Sequence, residues 1–236
     1  MSVEKINTVI VGAGQAGIAM SEHLAQMGVP HVVLERSRIA ERWRSERWDS
    51  LVANGPAWHD RFPSLKFDNI SQEAFPPKER MAQYFEDYAK MLDAPVRTGV
   101  EVHQVVRLLG RSGFKVVTSA GEFEADNVVA ATGPFQKPSF PQIVPETTGL
   151  QQIHSSAYKN PQQLPAGGVL VVGAGASGTQ IAEELRKSGR EVYLSVGEHY
   201  RPPRAYRNRD YCWWLGALGL WDEVKIKPKK EHVALR

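Results

Sequence analysis

The chain has 236 residues, 42% of them hydrophobic and 23% charged, with a formal net charge of +3. That is the make-up of an ordinary globular protein, and the charge is too small to argue for nucleic acid on its own. Cys212 is the only cysteine, which excludes an intramolecular disulfide, a Cys-x-x-Cys redox pair and a cysteine-based zinc site; no metal is expected.

From the N-terminus, Met1–Lys5 leads into the apolar run Ile6–Val11, which ends on Gly12 as a buried parallel strand does. A helix is expected from about Gly14 to Gln26, with Met20 and Leu24 on one face and a stop near Gly28. His31–Glu35 completes a strand–helix–strand unit. Residues 36–77 read as irregular and 80–92 as a helix with Met81, Phe85 and Tyr88 along one side. Strands are expected at 100–106, 114–118, 122–125 and 128–131, the second and third joined by a hairpin turn at Ala120-Gly121. A proline-punctuated stretch from 134 to 165 comes next.

The opening unit then recurs at an offset of 161 residues, with strand 169–172, helix 175–187 and strand 192–195. Met20, Leu24 and Gly28 find their counterparts in Ile181, Leu185 and Gly189. Each copy opens its helix on a G-x-G-x-x-G fingerprint: Gly12-Ala13-Gly14-Gln15-Ala16-Gly17 and Gly173-Ala174-Gly175-Ala176-Ser177-Gly178. The first glycine allows the tight turn, the second lets a pyrophosphate approach the backbone, and the third permits close helix–strand packing. The helix N-terminus then offers unpaired N–H groups and about half a positive charge.

The residues at the end of each copy's second strand separate the ligands. Glu35 lies eighteen residues after Gly17, placed to accept hydrogen bonds from ribose hydroxyls, with Arg36 beside it. The second copy ends in Leu194-Ser195, with no acid to repel a 2′-phosphate, and Arg201, Arg204, Arg207 and Arg209 come soon after. Guanidinium groups suit phosphate, so the second site is expected to prefer NADPH. The same arginines also fit a solvated basic surface or an RNA-binding patch.

With Arg42-Trp43-Arg44, Trp48-Asp49-Ser50-Leu51, Asn54-Gly55-Pro56, Ala131-Thr132-Gly133 followed by Pro138, and His154 with Tyr158, these motifs stand in a fixed order. In that order the chain resembles the class B flavoprotein monooxygenases, the group of flavin-containing and Baeyer–Villiger monooxygenases. It is most similar to the bacterial branch labelled as flavoproteins involved in potassium transport.

The resemblance implies FAD on the first fingerprint and Glu35, with Trp43, Arg44 and Trp48 near the flavin and Val102 beside the adenine. Ala131-Thr132-Gly133 would close over the FAD, and Asn54 would face the flavin ring and NADP as the catalytic side chain. NADPH would lie on the second fingerprint with Ser195 and Arg204. The implied reaction is oxygenation, through a flavin C4a-peroxide, of a small nitrogen-, sulfur- or carbonyl-containing substrate by O2. An NADPH-linked flavin reductase and a non-catalytic nucleotide-binding fragment linked to ion transport are the alternatives.

Departures from the family pattern are Glu41-Arg42 for its glycine pair, Thr148 and Leu150 in the linker signature, and Tyr158 for tryptophan. The tyrosine favours heteroatom oxidation over ketone insertion. The chain also stops at Arg236, short of the family's return segment. The expected fold is α/β: two Rossmann-like three-layer dinucleotide-binding domains with parallel sheets, the first carrying a β-hairpin or meander insertion. Residues 1–140 would bind FAD, 141–165 link, and 166–236 bind NADPH. A cytoplasmic protein with no membrane span and no nucleic-acid partner is expected, and a homodimer is compatible with this reading.

Overall fold

The computed structural model describes residues 3–141, 144–145, 148–198 and 202–221. Two compact units are formed, 1–196 and 197–236.

In the first unit, strand β1 (Val3–Val11) leads into helix α1 (Gln15–Gln26) and strand β2 (His31–Glu35). A short helix α2 (Glu41–Ser45) and helix α3 (Lys78–Met91) precede β3 (Val96–Thr98), β4 (Val102–Arg107), β5 (Phe114–Thr118) and β6 (Gly121–Ala130). These strands form one sheet in the order β3-β2-β1-β6-β5-β4. The first four are parallel, and β6-β5-β4 is an antiparallel meander.

Sequence reasoning separates 122–125 from 128–131, but the structure makes them one strand. The early part of β6 pairs antiparallel with β5 on one side, while nearly its whole length runs parallel to β1 on the other. The polar pair Asp126-Asn127 is exposed where the strand leaves the meander, and so reads as a break.

Alternation along the strands sorts the core into layers. Val9, Val32 and Leu34 face Val116 and Phe123 of the meander, while Ile10 and Val33 turn the other way, toward Met20 and Leu24 of α1. On the helical side, Phe62 and Phe67 stack on α3, with Phe62–Tyr88 centroids 4.1 Å apart and Phe67–Tyr84 centroids 4.0 Å apart. The expected stripe of Met81, Phe85 and Tyr88 is buried, and Tyr84 joins it.

Within the same unit, β7 (Val169–Val172), helix α4 (Ala176–Lys187) and β8 (Val192–Ser195) form the second strand–helix–strand copy, with a parallel two-stranded sheet. Ile181 and Leu185 of α4 pack against Trp48, Leu51 and Tyr158. Polar bonds reinforce this contact. Asp49 accepts from Asn160 Nδ2 (2.7 Å) and Lys78 Nζ (3.4 Å), Lys159 Nζ donates to the Ser45 and Arg47 carbonyls, and the Tyr158 hydroxyl donates to Glu184 (2.6 Å).

The second unit, taken by itself, holds a small hairpin of β9 (Ala205–Tyr206) and β10 (Arg209–Asp210), followed by helix α5 (Tyr211–Ala217). Arg207 and Asn208 make its turn with positive φ, and Asp210 caps α5 by accepting from Cys212 N–H. Among the described residues no helix is long and apolar enough to cross a membrane.

One buried polar group pins α1 to α3. Glu22 accepts from the Tyr88 hydroxyl and from Ser64 Oγ (2.7 Å) while only 7% exposed. The Tyr88 bond, then the Ser64 bond, hold its carboxyl below the ordinary 4.5. Burial, then Glu22, push the Tyr88 hydroxyl from 10.0 up to about 12.

Because the Glu22 value is depressed on folding, its contribution to stability is complete above the ordinary carboxylate range and is lost as pH falls through the folded value. Tyr88 acts in the opposite sense, contributing below pH 10 and losing that contribution as pH rises through about 12. Urea midpoints measured downward from pH 7 should fall less steeply in Glu22→Gln than in the parent. Tyr88→Phe should cost about 1–3 kcal/mol at pH 7, because the carboxylate stays buried with a partner gone.

Candidate functional site

Both fingerprints fold as their spacing requires, and with the same geometry. Gly12 and Gly173 have φ of +106° and +100°, open to glycine alone at little cost. A Cβ on Gly17 would lie 1.9 Å from the Gly12 carbonyl oxygen, and one on Gly178 would lie 1.9 Å from that of Gly173. These glycines let the helix press onto its own turn. At Gly14 and Gly175 an added Cβ meets nothing within 4 Å, so the middle glycine of each turn faces open space. Gln15 and Ala16, like Ala176 and Ser177, are exposed at the first turn of their helices, where N–H groups have no intrahelical acceptor.

The structure gathers several of the expected residues around the first turn. Glu35 Oε2 accepts from Ala13 N–H and Oε1 from Ser37 N–H, both at 2.9 Å, so the acid braces the fingerprint. Arg36 is exposed beside it. Ala131 N–H bonds the Val11 carbonyl (2.9 Å), and the Ala131 carbonyl lies so near Gly12 that a Cβ there would be 2.6 Å away. Ala131-Thr132-Gly133 therefore sits directly on the turn. Val102 is half-buried against the sheet core, two residues after Val100, whose N–H bonds the Glu35 carbonyl at 2.9 Å.

Arg42, one of the residues standing for the family's glycine pair, ties α2 to this segment. It donates to the Phe135 carbonyl (2.7 Å) and to Gln136 Oε1 (3.0 Å), and Gln136 bonds the Thr132 and Gly133 carbonyls. Trp43 is half-buried against Phe85, 6.3 Å between ring centroids, and Arg44 pairs with Glu86 at 2.7 Å. Arg44 Nε and Trp48 Nε1 are buried with no hydrogen-bond partner among the described residues. Trp48 is 3% exposed, so its indole N–H is a buried donor.

The Asn54-Gly55-Pro56 turn is held from below. Gly55 N–H donates to Asp60 Oδ2 (2.8 Å), and a Cβ on Gly55 would lie 2.1 Å from the other oxygen of that carboxylate. Asn54 itself is exposed. His154, by contrast, serves its own turn, because Nδ1 accepts from Ser156 N–H (3.2 Å) and sits 2.9 Å from Ser156 Oγ.

At the end of the second copy the strand register corrects the sequence pairing. Ser195 pairs with Val172, and its carbonyl accepts from Gly173 N–H (3.0 Å). In the first copy Leu34 pairs with Val11 and accepts from Gly12 N–H (2.8 Å). Ser195 is therefore the counterpart of Leu34, and the counterpart of Glu35 is the exposed Val196. The absence of an acid at that place stands, one residue further on. In the hairpin unit, Arg204 Nε bonds Asp210 at 2.9 Å, and the Arg207 and Arg209 guanidiniums each lie 5.3 Å from a ring, of Tyr206 and Trp213 respectively. Arg201 lies outside the described residues.

Two glycine turns of one geometry, on two parallel strand–helix–strand units, define an α/β protein built around two dinucleotide-type folds. A profile of the family described as pyridine nucleotide-disulphide oxidoreductase matches residues 9–215, and the chain belongs to that family. It is 39% identical over 218 residues to "Uncharacterized oxidoreductase CzcO-like" of Geobacillus kaustophilus, covering 91% of this chain and 61% of that protein. Against the indole-3-pyruvate monooxygenase YUCCA1 of Oryza sativa it is 34% identical over 195 residues, 80% of this chain and 47% of the relative. The chain thus spans about three-fifths or less of these curated relatives. The structure of a flavin-containing monooxygenase from Stenotrophomonas maltophilia superposes with a TM-score of 0.75 at 23% identity, covering 99% of this chain and 68% of the other, a likeness of fold.

The turn geometry separates two kinds of glycine. Gly17→Ala and Gly178→Ala should each destabilise the protein by about 3 kcal/mol or more, since backbone must move to admit the methyl group. Gly14→Ala and Gly175→Ala should stay within about 1 kcal/mol of the parent. Thermal unfolding of the four variants checks the contrast.

Proposed function

We propose that this chain is the FAD- and NADPH-binding portion of a flavoprotein monooxygenase acting on a small nitrogen-, sulfur- or carbonyl-containing substrate. The observation that carries the reading is the repeated turn, open at its middle glycine, paired with an acid in the first copy (Glu35) and with Val196 in the second. The monooxygenase names of several relatives support the same choice.

Residues 1–140 hold FAD, 166–236 hold NADPH, and 141–165 join them. The N–H groups around Gly14, Gln15, Ala16 and Gly17 donate to the FAD pyrophosphate, and those around Gly175, Ala176, Ser177 and Gly178 do so for NADPH. Glu35, already oriented by Ala13 and Ser37, has lone pairs left for ribose hydroxyls. With Ser195 and Val196 at the matching strand end, no carboxylate opposes a 2′-phosphate.

Trp43, Arg44 and Trp48 would wall the flavin, with Arg44 Nε and Trp48 Nε1 as buried donors available to it. Ala131, Thr132 and Gly133 close over the FAD, held by Arg42 and Gln136. Bound FAD supplies hydride acceptance from NADPH and oxygen activation at its C4a carbon. The protein's part is to orient the two nucleotides, exclude water, and present the Asn54 amide as a hydrogen-bond donor.

Mixing the purified chain with FAD should give a protein-bound flavin band that persists through gel filtration. NADPH oxidation should then depend on oxygen. Gly14→Ala should keep the fold and lose the flavin band. Oxidation of NADPH that requires a quinone and ignores oxygen would make the chain a reductase, and a folded protein that binds NADPH but never FAD would overturn the proposal.

A further inference from the structure

Gln180 of α4 stands where the first copy has Ala19, and its amide leaves the second nucleotide fold for the segment that carries Asn54. Its Oε1 lies 3.5 Å from Val52 N–H, and its Nε2 lies 3.4 Å from the Val52 carbonyl and 3.2 Å from Asn54 Oδ1. The backbone fixes the polarity of this chain of contacts. An N–H can only donate, so the Gln180 oxygen must face Val52 N, which turns its NH2 toward the Val52 carbonyl and Asn54. Asn54 must answer with its oxygen. Its own NH2 group is thereby directed away from α4 and left to donate elsewhere.

The Asn54 segment is gripped from the other side as well. Val52 forms a β-bridge with Pro77, Ala53 N–H bonds the Pro76 carbonyl (2.8 Å), and Lys78 N–H bonds the Leu51 carbonyl (3.0 Å). Residues 51–54 are thus clamped between the start of α3 and the Gln180 amide. We infer that Gln180 is a positioning residue: it sets the Asn54 amide as a donor and ties Asn54 to the helix that opens on the second fingerprint. This inference rests on the role given to Asn54 above.

Two variants test it. Gln180→Leu removes both halves of the contact. Gln180→Glu keeps an oxygen for Val52 N–H but faces both the Val52 carbonyl and Asn54 with an acceptor in place of a donor, which favours rotation of the Asn54 amide.

In the flavin-free protein, amide hydrogen exchange at residues 50–56 should quicken severalfold in Gln180→Leu and by less in Gln180→Glu, which keeps the Val52 N–H bond. The Asn54 side-chain NH2 resonances should move downfield in Gln180→Glu alone, as they turn to the new carboxylate. In the FAD-loaded protein both variants should release severalfold more hydrogen peroxide per NADPH oxidised, with KM for NADPH within about twofold of the parent. Adding Gln180→Leu to Asn54→Ala should make peroxide release no worse than Asn54→Ala alone.

Unchanged exchange in Gln180→Leu together with unmoved Asn54 resonances in Gln180→Glu would overturn the inference. So would a rise in KM for NADPH with peroxide release at the parent level. If the chain takes up no FAD, the proposed function fails, while the exchange and resonance measurements still decide whether Gln180 orients Asn54.

Discussion

The fold turns on the contact of a helix with the carbonyl of its own preceding turn. At Gly17 the backbone of α1 lies so close to the Gly12 oxygen that a single methyl group has no room. That approach sets where α1 begins and lets its first N–H groups look outward. It also fixes how deeply Met20 and Leu24 sink onto Ile10 and Val33, and how Ile18 meets the aromatic cluster on α3. The stacked rings of Phe62, Tyr84 and Tyr88 sit beyond α1, with Glu22 as the polar rivet. A core built outward from one backbone approach tolerates little at that point and much more at the surface.

The second copy repeats the approach in a different setting. Ile181 and Leu185 of α4 meet Trp48, Leu51 and Tyr158, so the 45–54 segment serves as floor for one nucleotide fold and as neighbour of the other. Burying apolar surface there draws the segments together without direction. The bonds from Lys159, Asn160 and Gln180 give the contact a single register. Residues of the Trp48-to-Asn54 stretch are consequently placed by partners more than a hundred positions away in the chain.

Much of this was legible in the sequence, and the misses have definite causes. Short apolar runs gave β2, β7 and β8 with their observed limits, and the α3 stripe followed from its period. The helix Glu41–Ser45 escaped because five residues carrying four polar side chains show no periodicity. β3 escaped because three residues at a half-exposed edge carry no alternation worth reading. The register slip between Ser195 and Val196 came from matching strand ends, although the 161-residue offset already sets Glu35 against Val196, in agreement with the Val172–Ser195 ladder pair. Gln180 left no local trace at all. Its partners Val52 and Asn54 stand 128 and 126 positions away, and only the packing of α4 brings them within reach.

The brace at Glu35 has a further consequence for how such a chain can diverge. In the first copy the acid serves the fold, through Ala13 and Ser37, as well as any ligand. Replacing it to admit a different nucleotide would loosen the turn itself. At Val196 an apolar side chain can make no such bond, and the residue is exposed. A change of residue is therefore coupled to stability at Glu35 and free of it at Val196. Mutational drift can explore the Val196 position while the Glu35 position remains locked by its own scaffold.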